Sequence, residues 1–483
     1  MKSSYKYLFK NIGLLSLSQF GSKVLVFFLL PLYTSVLTTA EYGIYDIFHT
    51  TISLLLPIFS LNISTSLLRF PLDKSSNAID IFSIGMKVFS VGFCVFLLLA
   101  GLNYRFHWFN VFNQYPLYLV GIYISMGVYY LISNFARGID RVSSVAIAGI
   151  ILSVSTIFLN ILLLVIFRLG LIGYFIANIT GPLIASTYFL LSLKLWKYIS
   201  FRVQNSALQK EMLAYSIPMI ITAISWWINS LSDRYIVLLF CGFAANGIYA
   251  VASKIPSMLA LFQNIFNQAW ILSSVKDFDA NDKNGFFAGA YNYYHYLLLL
   301  GCTGIIVFTK IIAKFLYGKN FYMAWQYVPF LTIAVLIGAM SGFIGGILAT
   351  KKDTKSLGIS VLIGAILNVV LNLILVPLYG PLGAAFATFL SSFSIWQIRL
   401  KIVRQYICLR IPLLKHYVAY TILIFQSVLL LKTSPNSDIN FLIVVLSFII
   451  LVLFYKEGKE VLLKLKNNCQ AIIQKGNIKK LII

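Results

Sequence analysis

The stretch Ile147–Phe167 reads IAGIILSVSTIFLNILLLVIF and contains no charged side chain. A run of about 20 apolar residues is long enough to cross the hydrocarbon core of a bilayer as a helix. The rest of the chain has the same character, because 60% of its 483 residues are hydrophobic and only 11% are charged. Soluble domains are about a quarter charged. The composition therefore argues against a large soluble protein and predicts an integral membrane protein.

Apolar runs separated by charged or Pro/Gly-containing breaks predict about 14 transmembrane helices. We expect helices because an unclosed strand leaves backbone groups unpaired in lipid. The predicted spans are residues 11–36, 43–68, 81–101, 116–136, 142–167, 170–193, 213–240, 247–272, 287–313, 326–349, 356–377, 382–400, 413–431 and 439–455.

The net charge of +24 is explained by the positions of the basic residues. With a cytoplasmic N-terminus, and with cations at span ends counted in the adjoining loop, 28 of the 38 Lys and Arg residues fall in cytoplasmic segments. Six fall in outer loops. This bias predicts that both termini are cytoplasmic, and it removes the need for a nucleic-acid partner.

The sequence contains an internal repeat. Three short motifs recur in the same order at offsets of 204, 212 and 210 residues. They are Ala40–Tyr45 with Ala245–Tyr249, Leu159–Asn160 with Leu371–Asn372, and Gly170–Gly173 with Gly380–Gly383. Six spans return the chain to the same side of the membrane, so the copies are parallel repeats, and such repeats place a substrate cavity between two lobes.

The predicted fold is therefore an all-α membrane protein with two parallel six-helix lobes around a central cavity and two additional C-terminal helices. The predicted boundaries are 1–195 for the N-lobe, 196–212 for a cytoplasmic linker, 213–405 for the C-lobe, 406–455 for spans 13 and 14, and 456–483 for a basic tail. The tail is roughly amphipathic, and it either lies on the anionic cytoplasmic leaflet or is a solvated end.

Polar side chains form stripes along the first two spans of each lobe. Single Ser and Thr residues in such helices are explained by interhelical hydrogen bonds, but four stripes in repeat-equivalent helices favour a polar lumen. The residues predicted to line the lumen are Gln19, Asp46, Asn229, Asp233 and Asn264. The same four spans contain Pro31, Pro57, Pro218 and Pro256, which we predict to act as hinges because proline bends a helix.

Ionisable residues within the membrane are functional candidates. Lys23 lies about 18 Å along its helix at about 1.5 Å per residue, which places it near the midplane. With Arg234 and Lys254 it gives a net positive cavity that favours an anionic, phosphate-bearing substrate. Asp233 either neutralises Arg234 or Lys254 or contacts substrate, and Arg69 is either a boundary cation or a guard of the cavity mouth. The five cysteines form no CxxC pair, so we predict no metal site and no cofactor.

Several segments resemble Wzx-type oligosaccharide flippases, which form part of the polysaccharide transporter branch of the multidrug/oligosaccharidyl-lipid/polysaccharide (MOP) exporter superfamily. The similar segments are Asn11–Tyr33, Glu41–Tyr45, Asn229–Tyr235 and Gly247–Tyr249. The resemblance implies transfer of undecaprenyl-pyrophosphate-linked glycans from the cytoplasmic to the outer leaflet of the bacterial inner membrane, for O-antigen, capsule or exopolysaccharide assembly. It also implies that Lys23, Arg234 and Lys254 form a cationic lumen, and that membrane lipids and other surface-polysaccharide assembly proteins are partners.

Two other functions are consistent with a polytopic chain. A cation-coupled multidrug exporter of the same superfamily would use acidic residues in span 1, and this span 1 has none. A membrane glycosyltransferase or polymerase would need a sizeable catalytic loop, and the longest predicted loops, near 102–115, 194–212 and 273–286, are short. We therefore predict a transporter that is not an enzyme.

Overall fold

In the computed structural model, the described residues are 27–73, 77–200, 205–276, 278–351, 353–433, 441–460 and 463. Every regular element within these ranges is a helix. The helices are α1 Leu30–Val36, α2 Thr39–Phe59, α3 Ser64–Arg69, α4 Ala78–Phe106, α5 Asn110–Gln114, α6 Pro116–Gly138, α7 Val142–Asn160, α8 Gly170–Ser192, α9 Ser206–Ala252, α10 Lys254–Lys276, α11 Phe286–Leu316, α12 Val328–Thr350, α13 Thr354–Tyr379, α14 Pro381–Val403, α15 Leu413–Lys432 and α16 Phe441–Leu453.

The helices follow the predicted spans closely. Nine helices in the described ranges are long and apolar enough to cross a membrane, and α2 with the segment Ser64–Leu72 forms a further, bent candidate. α7 continues through a π-helical turn at Ile161–Ile166, so that it covers all but the last residue of the predicted span 142–167. The all-α membrane architecture predicted from the sequence is confirmed.

The predicted span 43–68 is not one straight helix. α2 ends at Phe59, and the helical segment that begins at Ser64 is bent by 74° relative to it. Leu61 and Asn62 between them have left-handed backbone angles, each with φ of 49°. Pro57 precedes the break and accepts a hydrogen bond at its carbonyl from the Asn62 amide over 2.8 Å. Because a proline has no amide donor, Pro57 weakens the last turns of α2, and the left-handed residues Leu61 and Asn62 end the helix.

α9 reverses direction inside its length. Gly242 has φ of 81° and ψ of 179°, a backbone conformation that glycine adopts without steric cost. Spans 213–240 and 247–272 were predicted to be separate, and Gly242 lies between them. The second of these continues into α10 after a turn at Ser253.

The four prolines predicted as hinges occupy different positions. Pro57 and Pro218 lie inside α2 and α9. Pro31 and Pro256 instead lie in the first turns of α1 and α10, where a missing amide donor costs no helical hydrogen bond. Turns at Leu29 and Ser253 precede these two helices. Movement at any of the four prolines stays a prediction.

The described residues form two compact units. The first contains the residues up to Lys254 together with Phe315–Ala324 and Asn368–Ala384, and the second contains Ile255–Lys314, Trp325–Leu367 and the residues from Ala385 onwards. α9 therefore belongs to the first unit, although its sequence opens the predicted C-lobe. The predicted lobe boundaries themselves stay a prediction.

Each unit has its own aromatic core. In the first unit Phe48, Phe89 and Tyr123 belong to a buried cluster. In the second unit Trp270 and Phe343 stack with ring centroids 3.8 Å apart. The core of the first unit includes Phe48 of α2 and Met212 of α9, the two helices that carry the candidate site.

Candidate functional site

The two copies of the first repeat motif contact each other within the first unit. A Cβ atom on Gly43 would lie 2.0 Å from the carbonyl oxygen of Phe243, and a Cβ atom on Gly247 would lie 1.9 Å from the carbonyl oxygen of Thr39. Thr39 and Phe243 are separated by 204 residues, as are Gly43 and Gly247. The contact is therefore reciprocal, and each glycine allows the close helix approach that small residues permit in membranes.

The start of α2 is fixed by a capping box. The Thr38 side chain accepts a hydrogen bond from the Glu41 amide, and the Glu41 carboxylate accepts one from the Thr38 amide over 2.8 Å. These two bonds satisfy amide groups that a helix start leaves without partners. They also define the turn that presents Gly43 to the other repeat copy.

An ion pair joins α2 and α9 next to this contact. The Nη1 atom of Arg234 donates to Oδ2 of Asp46 over 2.8 Å. The second Nη atom donates to Oγ of Ser253 over 2.9 Å. Arg234 is only 7% exposed. A guanidinium this deeply buried needs an anionic partner, since an uncompensated buried charge is strongly destabilising.

Asp46 also has a second donor. The amide nitrogen Nδ2 of Asn246 lies 3.3 Å from Oδ2 of Asp46 and 3.2 Å from the carbonyl oxygen of Gly43. Asn246 is fully buried. This side chain therefore ties the glycine contact and the ion pair into one network.

Asp233 lies on the other side of the guanidinium. Its Oδ1 atom is 3.9 Å from Nε of Arg234, and its Oδ2 atom accepts a hydrogen bond from the Tyr249 hydroxyl over 2.5 Å. In a straight helix, Asp233 and Tyr249 would be about 24 Å apart at about 1.5 Å per residue. The reversal at Gly242 brings them together.

The charges around Arg234 are balanced in this arrangement. Asp46 and Asp233 flank Arg234, and Lys254 follows Ser253 at the start of α10. Two carboxylates thus accompany two basic side chains. The net positive charge predicted for the lumen depends on Lys23, which lies outside the described residues.

The remaining predicted site residues are dispersed. Arg69 is exposed and pairs with Asp73 over 2.8 Å, with about half of each side chain accessible. Asn229 is half-buried on α9, four residues before Asp233, and Asn264 is exposed on α10 in the second unit. Gln19, like Lys23, lies outside the described ranges. The substrate-binding roles assigned to these residues stay predictions.

Three members of the network were not among the predicted site residues. Asn246 and Tyr249 lie within the second copy of the repeat motif, and Ser253 follows it. The repeat was the signal that could have identified Asn246, which donates to Gly43 of the first copy. Tyr249 gave no such signal, because it donates to Asp233 of α9 across the turn at Gly242. Ser253 gave no such signal, since its role depends on the turn between α9 and α10.

Comparison with known proteins identifies the family. Residues 8–271 match the family model described as polysaccharide biosynthesis protein. The chain belongs to the polysaccharide biosynthesis protein family. This match covers more than half of the chain, and it confirms the family that the sequence motifs indicated. A search of curated proteins gives no match.

Solved structures show which fold this family member has. The structure titled lipid II flippase MurJ, inward closed conformation, is 16% identical, with a TM-score of 0.65 over 93% of this chain and 99% of that chain. An inward-facing multidrug resistance MATE family transporter of the MOP superfamily is 12% identical, with a TM-score of 0.60 over 85% and 96%. A mutant of the Vibrio cholerae MATE transporter VcmN is 14% identical, with a TM-score of 0.54 over 84% and 98%. The chain therefore has the MOP transporter fold.

Proposed function

We propose that this protein is a flippase that moves undecaprenyl-pyrophosphate-linked oligosaccharides from the cytoplasmic to the outer leaflet of a bacterial inner membrane, with both termini in the cytoplasm. The product would supply O-antigen, capsule or exopolysaccharide assembly. Family membership and the MOP fold support transport in polysaccharide biosynthesis. The positive-inside bias of the sequence supports the orientation.

The observation that carries the proposal is the buried Arg234 guanidinium at the contact between the repeat copies. A guanidinium presents paired donors that match the oxygens of a carboxylate or a phosphate. Asp46 occupies one of these donors over 2.8 Å. A pyrophosphate that replaced Asp46 would keep the guanidinium paired with an anion, and the displaced Asp46 carboxylate would keep the Asn246 amide as a donor.

The same exchange gives a mechanism for alternating access. Substrate binding at Arg234 would release Asp46 on α2 from Arg234 on α9, and the Gly43–Gly247 contact beside this pair could then separate. In the proposed cycle the ion pair re-forms after the glycan has left. Binding of the anionic substrate and opening of the contact are thereby coupled through the Arg234 guanidinium. A ligand shifts an equilibrium toward the state that it binds more tightly, and here that state is the one in which Asp46 has left Arg234.

The other functions fit the observations less well. A multidrug exporter is the function of MATE relatives with a similar fold, but the family model that matches this chain describes polysaccharide biosynthesis. A glycosyltransferase or polymerase would require a catalytic extramembrane domain. In the described ranges the connections between the long helices are too short to form one.

The test is a translocation assay with the purified full chain in proteoliposomes. The probe is a fluorescent undecaprenyl-pyrophosphate-linked oligosaccharide, and its appearance in the other leaflet is followed with a membrane-impermeant quencher. We expect the protein to accelerate transfer over protein-free vesicles, Arg234→Ala to abolish the acceleration, and Arg234→Lys to retain part of it because lysine supplies only a point charge.

The matched control is Arg105→Ala, because Arg105 is an exposed arginine in the last turn of α4. It should transport at the parent rate. The proposal is wrong if the parent protein gives no acceleration for the lipid-linked glycan. The Arg234 assignment alone is wrong if Arg234→Ala, correctly folded, transports at the parent rate.

A further inference from the structure

A cavity lies in the first unit, at the break between α2 and α3. Its volume is about 510 Å³, within the range of about 300–1,000 Å³ typical of small-molecule sites. Residues from both sides of the break line it, together with side chains of α6 and α9. The cavity contains neither Arg234 nor Asp46 in its lining, so it is separate from the ion-pair network.

Polar side chains without protein partners face this cavity. Ser60, Asn62 and Ser64 lie at the break and are 6%, 8% and 5% exposed. Within the described part of the chain, none of these three side chains forms a hydrogen bond. Among the described residues, no polar side-chain atom of these three is both enclosed and without a partner. Each therefore reaches the open space of the cavity, where it is available to a ligand that supplies several donors and acceptors.

The backbone at the break keeps these side chains pointing inwards. Asn62 adopts φ of 49°, a left-handed conformation that asparagine tolerates better than most residues. The helix that begins at Ser64 diverges from α2 by 74°. The polar side chains are therefore not covered by a continuing helix. The neighbouring Leu61 also has φ of 49°, a conformation that bulky apolar residues rarely adopt and that is typical of functional positions.

Two aromatic rings line the same cavity. Trp226 on α9 is 61% exposed and Tyr130 on α6 is 53% exposed. Aromatic side chains combine a flat apolar face with a polar group at the edge. A sugar ring has the complementary surface, with C–H groups that pack on aromatic faces and hydroxyls that bond to Ser and Asn side chains.

The charge of the lining selects among sugars. Among the described residues that line the cavity, none is charged. A uronic or other acidic sugar would lose its hydration here without gaining a cation, which is unfavourable. An isoprenoid chain would leave the three polar side chains without partners. An uncharged sugar ring avoids both costs.

We propose that this cavity, lined by Ser60, Asn62, Ser64, Tyr130 and Trp226, is a glycan subsite that takes an uncharged sugar ring and discriminates against acidic sugars. The proposal rests on the proposed flippase function, in which the pyrophosphate binds at Arg234 and the glycan needs a separate surface. In this proposal, the broken α2–α3 segment and the side of α9 that faces it determine which sugars the protein accepts.

The test uses photoreactive alkyl glycosides with the full chain in nanodiscs. The probes are diazirine-tagged octyl β-glucoside, octyl β-glucuronide and octanol, and labelled peptides are identified by mass spectrometry. We expect the glucoside to label residues 57–65 and 219–226 about tenfold more than the other probes, a ratio that corresponds to about 1.4 kcal/mol. Asn62→Ala and Trp226→Ala should each reduce this labelling severalfold.

Control variants separate loss of the site from loss of the fold. Trp196→Ala removes an exposed tryptophan that does not line the cavity, and it should leave labelling unchanged. Trp226→Phe keeps an aromatic face and should retain most of the labelling even if Trp226→Ala does not fold. Equal labelling by glucoside and octanol would show an apolar groove for lipid, and equal labelling by glucoside and glucuronide would show no charge selection. Either result overturns the proposal.

The translocation assay distinguishes this proposal from the function on which it rests. If the parent protein transports the lipid-linked glycan but neither 57–65 nor 219–226 is labelled by the glucoside, the subsite is wrong and the flippase function stands. If the glucoside labels these segments selectively but the parent does not accelerate transfer, the flippase function is wrong and a sugar site remains.

Discussion

Replacing Gly247 with alanine should force the two repeat copies apart. The new Cβ atom would lie 1.9 Å from the Thr39 carbonyl oxygen, whereas ordinary contacts begin at 3.4 Å. The helices would therefore have to separate locally by 1.5 Å, the difference between these two distances. The obstructing atom belongs to the backbone, which cannot rotate away as a flexible side chain can.

The separation has a calculable effect on the population of the closed contact. Overpacking of this kind costs about 1–3 kcal/mol, which corresponds to about 5–150-fold in an equilibrium constant. The Arg234–Asp46 hydrogen bond of 2.8 Å lies beside the contact and should weaken with it. The reciprocal variant Gly43→Ala places its Cβ atom 2.0 Å from the Phe243 carbonyl oxygen and should give a similar shift.

Opening can be measured by cysteine labelling. Ala250, one turn after Gly247, is fully buried, so Ala250→Cys in a background with the native cysteines replaced by serine reports exposure of this region. We expect N-ethylmaleimide to modify this cysteine at least about fivefold faster when Gly247 is replaced with alanine than when Gly247 is retained. This factor corresponds to the lower end of the overpacking cost. Size-exclusion chromatography checks that each variant is folded.

Gly101→Ala is the control, because a Cβ atom on Gly101 of α4 would meet no atom within 4 Å. It tests the separate gain in helix propensity, about 1 kcal/mol, that any glycine-to-alanine change brings. Its labelling rate at Ala250→Cys should equal that of the parent. If the labelling rate is unchanged in both Gly43→Ala and Gly247→Ala, and both proteins are folded, then the two glycines are not what allows the helices to approach at this contact.

Two further predictions concern charged groups. Asp46→Asn removes the nearer of the two carboxylates beside Arg234 and leaves Asp233 at 3.9 Å. The free energy of unfolding should therefore fall by about 1–3 kcal/mol, less than the loss of about 3–5 kcal/mol for a buried charge with no partner. A denaturation-based double-mutant cycle with Arg234→Gln measures the coupling of the pair, and simple additivity of the two variants would contradict the pairing. Asp353, in the loop before α13, accepts hydrogen bonds from the Ser356 amide and the Tyr406 hydroxyl, each over 3.0 Å, and the Ser356 bonds lower the pKa of its carboxyl. The stability from this group is therefore present above its ordinary pKa of about 3.9 and is lost as the pH falls through the lowered folded value. Amide hydrogen exchange in the first turn of α13 should become faster at acid pH in the parent protein but not in Asp353→Asn. Identical pH profiles for the two proteins would exclude the effect.

The helices and their repeat can be predicted from the amino-acid sequence. Apolar run length predicted the spans that α4, α6, α7 and α8 occupy, because hydrocarbon thickness sets a length that the composition of each run must satisfy. The offset of 204 residues identified Gly43 and Gly247 as equivalent positions. Such features are local or periodic, so they are visible in one chain without coordinates.

The positions of the helix breaks and the pairing of the charged groups depend on how distant parts of the chain pack. Pro57 in the sequence indicated a bend, but the 74° angle and the left-handed angles at Leu61 and Asn62 depend on how the chain packs around the break. Asp46 and Arg234 are 188 residues apart, and no local pattern encodes their pairing. Arg234 is recognisable in the sequence as a cation within a predicted span, because the composition of a span is a local property. Its pairing with Asp46, its burial and the reciprocal glycine contact arise only when distant helices pack together.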